Sequence, residues 1–416
     1  MRVAPSSRPS HSGLGVLRHR DFRLLWLGQL VSTIGDQMQA VAIGWHVYQA
    51  TNSSLALGTV ALCRVAPFMV LSLLGGALAD ATDRKRLLLV TQWVQIAVTL
   101  LLVASAGMGD DAIWVIYLAT ALAGAANAFD GPARQALIPN LVPPADLAHA
   151  LTLNTLLRQT ASIVGPGLGG WTVAQFGLAA TYGINAASFL GVVAAVWLMG
   201  PVPPLPPATT SNWRRIVEGL QFARATPLVF FPMLLDFATR CLGSPRGLLP
   251  VYARDVYAVG VQGLGWLSAA GSAGAVVGGL VLSRVPAVPR PLLMVMAAYF
   301  LEGALTLAFA LEPGVGPAVA ILFALGVCNV IGEVVRMTIS QLQTPNTLRG
   351  RTGALAGMIG ASGPQLGQME VGALAAATSP AVALAVSGAG SALLSVAIAL
   401  VPAIRTKLTR RSIEAL

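Results

Sequence analysis

The sequence predicts an all-α integral membrane protein of twelve transmembrane helices in two six-helix halves. Three observations carry this reading. Hydrophobic residues fill 55% of the 416 positions and charged residues only 10%, against about 25% charged in soluble domains. The apolar residues fall in runs of the roughly 20 residues that a helix needs to cross a bilayer, and no stretch shows the alternation of a barrel strand. Lys and Arg, finally, fall on alternate connections between the runs, as cytoplasmic loops require. The 44 glycines and 26 prolines suit the same class, because small residues let membrane helices pack closely and neighbouring helices satisfy the backbone groups that proline frees.

Taken in order, residues 1–21 form a polar, Arg-rich cytoplasmic tail. The apolar run that begins at Phe22 is too long for a signal-peptide core and lacks a small-residue cleavage pattern, so it is read as the first span. Spans are expected at 22–48, 55–79, 87–107, 112–133, 148–174 and 178–200, which together make an N-terminal half, 22–200. Gly200 to Pro207 holds too many prolines for a helix and opens a linker, 201–226. There Trp213, Ile216, Val217 and Leu220 recur at helical spacing between Arg214, Arg215, Glu218 and Gln221. Both a helix lying on the membrane surface and a solvated linker helix fit that pattern. The C-terminal half, 227–402, holds spans at 228–252, 262–284, 291–311, 316–340, 352–376 and 380–402, and a cytoplasmic tail, 403–416, closes the chain.

Of the 26 Lys and Arg residues, 20 fall on the side of the N-terminus. Arg254 alone lies opposite, and Arg64, Arg158, Arg240, Arg246 and Arg336 lie inside spans. Both termini are therefore expected in the cytoplasm. The net charge of +10 is spread along these loops and not gathered into a nucleic-acid-binding face. Cys63, Cys241 and Cys328 share no metal-like spacing, and no metal site is expected. No Gly-x-x-x-x-Gly-Lys-[Ser/Thr] loop occurs, which argues against ATP-driven transport by this chain alone. The 24 Arg against 2 Lys suggest a GC-rich bacterial genome, and so a bacterial cytoplasmic membrane. The aromatics Trp26, Trp45, Tyr48, Trp93, Trp114 and Trp171 sit near span ends, where an interfacial belt is the expected role.

The halves echo each other. Gly75-Gly76-Ala77-Leu78 closes the second span and Gly278-Gly279-Leu280 the eighth. Gly165-Pro166-Gly167-Leu168-Gly169 in the fifth is matched by Gly363-Pro364-Gln365-Leu366-Gly367 in the eleventh. Such an in-register duplication places a substrate site between two parallel halves.

The loop from Gly76 to Lys85 resembles the cytoplasmic signature of the major facilitator superfamily. Gly76, Asp80, Arg84 and Lys85 match it, whereas Ala81 and Asp83 stand where the pattern has a basic residue and a glycine. The resemblance implies that Asp80 caps or pairs with a neighbouring helix and that Arg84 and Lys85 help latch the halves. Gly165, Pro166, Gly169 and Gly170 are similar to the fifth-helix signature of exporters in that superfamily, which implies outward transport. Three stretches resemble its enterobactin-exporter branch, the transmembrane secretion effectors: Leu17 to Trp45, Arg246 to Pro250 with Tyr252, and Gln341 to Pro345 running into Leu348 to Arg351. Members of that branch export siderophores or other small organic molecules.

Ionisable groups inside spans are the candidates for chemistry, because each is costly in a bilayer and faces an interior or a water-filled cavity. They are Asp36, Arg64, Arg158, Asp236, Arg240, Glu302, Glu333, Arg336 and Glu370. Asp236 with Arg240 and Glu333 with Arg336 have the spacing of ion pairs on one helix face, and a structural role is as open as a transport role. Asp36, read as the only intramembrane carboxylate of the N-terminal half, has no base on its own helix. Arg64 or Arg158 is its expected partner, with a hydrogen bond to backbone or Ser32 as the alternative.

The reading that follows is a secondary exporter, not an enzyme, that moves a small amphipathic organic compound, siderophore-like or drug-like, out of the cell. It uses the proton gradient and no cofactor, and acts as a monomer. A lipid or lysolipid translocator of the same fold is the alternative within transport. A polytopic enzyme acting on lipid-linked substrates is the alternative outside it, and the bases Arg84, Lys85 and Arg86 beside Asp80 and Asp83 argue against the Mg²⁺ site it would need.

Overall fold

The computed structural model describes residues 13–109, 113–200, 212–285, 288, 290–345 and 348–408, apart from the side chains of 13–14, 73–81, 212–217, 350 and 354. After a 3₁₀ turn at Gly13–Arg18, the helices of the first half are α1 (Arg20–Thr51), α2 (Ser54–Ala81), α3 (Arg84–Ser105), α4 (Ile113–Leu141) and α5 (Leu147–Leu198). The linker helix is α6 (Asn212–Ala225). The second half contains α7 (Pro227–Cys241), the single turn α8 (Leu249–Val251), α9 (Gly260–Ser283), α10 (Pro291–Leu311), α11 (Val315–Gln343), α12 (Arg349–Ala377), α13 (Pro380–Leu400) and the short α14 (Pro402–Arg405).

The 52-residue α5 is two crossings in one run. Gly177, at φ 82° and ψ 177°, leaves the helical region, which costs a glycine little, and the chain turns there into a second limb at 178–198. By length and composition, eight of the described helices can cross a bilayer unaided, or nine if the pair bent by 110° at Glu218–Ala225 and Pro227–Val256 is one span. Twelve crossings are consistent with this once α5 is divided and α1 and α12 are added. Those two are too polar to pass on hydropathy because they turn polar side chains inward. Gln29, Ser32, Gln39 and His46 of α1 are buried.

One expected span is not continuous. The run at 228–252 breaks after Cys241. Gly243 takes the left-handed φ of 80°, Pro245 starts a 3₁₀ turn, and the chain resumes through α8 and a π-helical turn, Tyr252–Val256. Pro245 and Pro250 lack the N–H groups that a continuous ladder would use.

The repeat is visible in the packing. Without side chains, Gly165 and Gly169 of α5 admit α1. A Cβ on Gly169 would lie 2.7 Å from the Met38 Cα, and one on Gly165 would lie 2.9 Å from the Ile34 carbonyl oxygen. In the other half Gly363 and Gly367 of α12 admit α7 in the same way, with Arg240 Cβ 3.0 Å and Gly243 Cα 2.8 Å from the corresponding positions. A pair of glycines one turn apart therefore seats the first helix of each half.

The halves meet along α2 against α12 and α5 against α9, and the contacts gather at the end of the bundle away from α6. Gly58 and Gly372 cross there. So do Gly170 and Gly265, where a Cβ on Gly170 would lie 3.0 Å from the Gly265 Cα. At the α6 end, several polar contacts stay within one half. Arg84 donates to the Ala136 carbonyl oxygen at 3.2 Å, and the Lys85 ammonium donates to those of Met199 and Gly200 at 2.8 and 3.2 Å. Glu218 of α6 pairs with Arg351 of α12. Among the described residues, the contacts that join the halves thus lie at the far end.

Candidate functional site

A cavity of about 280 Å³ lies between the halves, bounded by Gln37, Gly44, Arg64 and Pro166 on one side and by Arg246, Pro250, Gln365 and Gln368 on the other. Two side pockets open beside it. One, of about 40 Å³ within the first half, holds Asp36, Gln39, Arg64 and Asn127. The other, of about 130 Å³ within the second half, holds Arg240, Arg246, Glu302, Asn329 and Ser391. The break after α7 makes this arrangement possible, since it takes Arg246 off the helix line and lets it border both the second side pocket and the central cavity.

Asp36 shares its pocket with Arg64 but makes no ion pair with it, and its hydrogen-bond donor is the Asn185 amide at 3.5 Å. That amide also donates to the Gln39 carbonyl oxygen at 2.8 Å, which in turn accepts from Thr99 at 3.2 Å. Arg158, the other expected partner, lies apart and donates to Thr155 on its own helix. Ser32, the alternative partner, is buried with no bond to its hydroxyl. Glu302 accepts from the Asn329 amide at 3.2 Å on one oxygen, while its other oxygen is buried without a partner. Glu370 accepts from Ser387 at 3.3 Å.

The charged groups of α7 and α11 form one network. Asp236, with no exposed surface, accepts from Arg240 at 2.9 Å and Tyr299 at 2.7 Å and pairs with Arg336 at 3.2 Å. Arg240 reaches on to Glu333 at 3.1 Å. The expected pairing of Glu333 with Arg336 is not the one made. Arg336 is drawn to the fully buried Asp236 across the helix interface, where an unpaired charge would cost most.

Asp36 is also not the only intramembrane carboxylate of its half. Asp130 of α4 is buried, paired with Arg134 at 2.7 Å and held by Thr91 at 3.0 Å and Gln92 at 2.7 Å. The spacing of Asp130 and Arg134, one turn apart, could have found this pair. Arg134 falls just beyond the expected span at 112–133, whereas α4 runs on to Leu141.

Among the signature residues, the side chains of Gly76 and Asp80 lie outside the described ones. Asp83, where the superfamily pattern has glycine, caps α3 by accepting from the backbone N–H of Lys85 and Arg86 at 2.9 and 3.4 Å. Tyr48 is no belt residue. It is buried, donates to Asp255, and lies under the Arg254 guanidinium, which is 5.7 Å from its ring centre and donates to its carbonyl oxygen at 3.3 Å. Among the described residues, no group of three metal-ligating side chains comes together.

A polar cavity between two repeated helical halves, sealed at one end, defines a membrane transporter and not an enzyme. The chain belongs to the transmembrane secretion effector family, whose pattern it matches over residues 11–414, and with it to the major facilitator superfamily. It is 27% identical to the enterobactin exporter EntS of Escherichia coli over 385 residues, 92% of each chain, and 28% identical to that of Shigella boydii over the same span. Its fold resembles that of a bacterial homologue of the iron transporter ferroportin in an inward-facing state, with TM-score 0.71, 18% identity and 94% and 99% of the two chains covered. It also resembles a peptide transporter POT in complex with sulfate, with TM-score 0.73, 13% identity and coverage of 97% and 98%.

Proposed function

We propose that this protein exports a small amphipathic organic compound, siderophore-like or drug-like, from the bacterial cytoplasm by alternating access, driven by proton influx. The observation that carries the reading is the central cavity, closed at the far end by the Tyr48–Asp255 bond and the glycine crossings. With the basic loops and both termini in the cytoplasm, this is the inward-facing state, ready to take cargo from inside. The likeness to enterobactin exporters and the fifth-helix signature support the outward direction and the cargo class.

Asp36 is the proposed proton carrier. It opens on a pocket beside the pathway, is held only by a neutral amide, and has Arg64 near enough to favour its ionised form when the helices rearrange. Asp130 and Asp236 are each locked in buried ion pairs and serve the scaffold. The test is cargo uptake into energised inside-out vesicles that contain the protein, whose lumen corresponds to the cell exterior. Uptake that collapses when the pH gradient is removed supports the reading, and uptake of no organic compound under any gradient contradicts it.

A further inference from the structure

Two guanidinium groups, one from each half, border the central cavity: Arg64 of α2 and Arg246 of the break after α7. No carboxylate shares that lining; three glutamines, Gln37, Gln365 and Gln368, and four hydroxyl side chains supply its remaining polarity. Neither guanidinium has a hydrogen bond or ion pair within the protein among the described residues, although Arg134, Arg240 and Arg336, inside the same bundle, are all paired. The carboxyl groups nearest to them stand behind, in the side pockets, where Asp36 is held by Asn185 and Glu302 by Asn329. An arginine is always charged and offers a planar fork of donors matched to carboxylate, sulfonate or phosphate. To leave two such forks unmatched inside a membrane bundle is costly, and the cost is recovered when an anion fills the space between them.

We propose that the cargo carries an anionic group and that Arg64 and Arg246 are the residues that read it. This rests on the exporter reading and names the chemical class of its cargo. Each guanidinium belongs to a different half, so a bound anion bridges the halves, and rearrangement of either half changes its grip. The charge balance agrees with proton influx. Outward movement of an anion and inward movement of a proton both carry positive charge into the cell, so a potential negative inside drives both steps of the exchange.

The test uses carboxyfluorescein and rhodamine 123, which share a ring system and differ in charge. Binding to the purified full-length protein in detergent is followed by fluorescence anisotropy. Carboxyfluorescein should bind more tightly than rhodamine 123 by about ten-fold or more, and Arg64→Gln and Arg246→Gln should each weaken it about ten-fold. Arg246→Lys, which keeps the charge but loses the fork, should fall between. Equal or tighter binding of rhodamine 123, or wild-type carboxyfluorescein binding in both Gln variants, would overturn the proposal. Uptake of the two dyes into energised inside-out vesicles separates it from the reading beneath. A protein that carries rhodamine 123 as well as carboxyfluorescein contradicts the charge assignment alone, and one that carries no organic compound contradicts the exporter reading.

Discussion

Tyr48, near the end of α1, donates its hydroxyl to the carboxylate of Asp255, 207 positions further along the chain. With the bond from Arg254 to the Tyr48 carbonyl oxygen, this is the polar tie between the halves among the described residues, and it lies at the sealed end. Opening the far end must break it, so it belongs to one state of the transport cycle and not to the other.

Tyr48→Phe should therefore shift the balance toward the outward-open state. A hydrogen bond to a charged group is worth about 1.5–3 kcal/mol, enough to change the ratio of the two states by roughly ten-fold or more. Spin labels at Asn52 and Val256, read by pulsed electron resonance, should report a longer distance in the variant. An unchanged distance distribution would show that the glycine crossings alone hold this end shut.

Gly169 and Gly170 are adjacent, yet their replacement should have different consequences. A side chain on Gly169 would strike Met38 within the first half, with 2.7 Å to its Cα, so Gly169→Val should reduce the yield of folded protein. One on Gly170 would strike the other half, 2.6 Å from the Val261 carbonyl oxygen. Gly170→Ala should leave folding intact, because the halves can part, and should favour the outward-open state by about 1–3 kcal/mol of relieved overpacking. Thermal melting and the same spin-label distance distinguish the two.

Asp236→Asn removes the charge that faces both Arg240 and Arg336 in a site with no exposed surface. Loss of one member of a buried ion pair costs roughly 3–5 kcal/mol, so the variant should melt earlier and insert poorly. Glu302→Gln should melt near the wild type, since its partner is a neutral amide. A melting curve for Asp236→Asn that overlays the wild type would move Asp236 from the scaffold to the transport machinery.

The alternation of apolar and basic stretches made the helical class and most span limits legible; the span at 291–311 coincides with α10. Local spacing also found the Asp236–Arg240 pair. It failed at Arg336, because a partner on another helix leaves no trace in local spacing, and burial, which only packing sets, decided which acid it took. The Asp130–Arg134 pair is hidden because the prolines Pro132 and Pro139 suggest a helix end near 133, although α4 continues past both. The glycine signature revealed a close approach but not its direction. Gly165 and Gly169 face α1 while Gly170 faces α9, a division of faces that depends on how three helices meet.

At the α6 end, Asp146 holds the N-terminal turn by accepting from His19 at 2.9 Å and Arg18 at 3.2 Å. The His19 bond keeps its carboxyl below the usual carboxylate range, with the Arg18 charge adding to the effect. For an acid whose folded value is depressed, the stabilisation is present above the unfolded value, about 3.9, and is lost as pH falls through the lower folded value. Between pH 5 and 8 the carboxylate therefore stays ionised. Asp146→Asn should raise hydrogen exchange in residues 15–20 throughout that range, and equal protection in the two proteins would show that the buried Val16 anchors the turn alone.

The most direct test of the central claim is cargo-dependent proton movement in proteoliposomes under an imposed pH gradient, compared between the wild type and Asp36→Asn. The amide keeps the shape of the side chain and removes its titratable proton. The account predicts that cargo drives proton flux in the wild type and that the flux collapses in the variant while folded protein and cargo binding persist. Wild-type coupling in Asp36→Asn would contradict it and transfer the proton to Glu302 or Glu370.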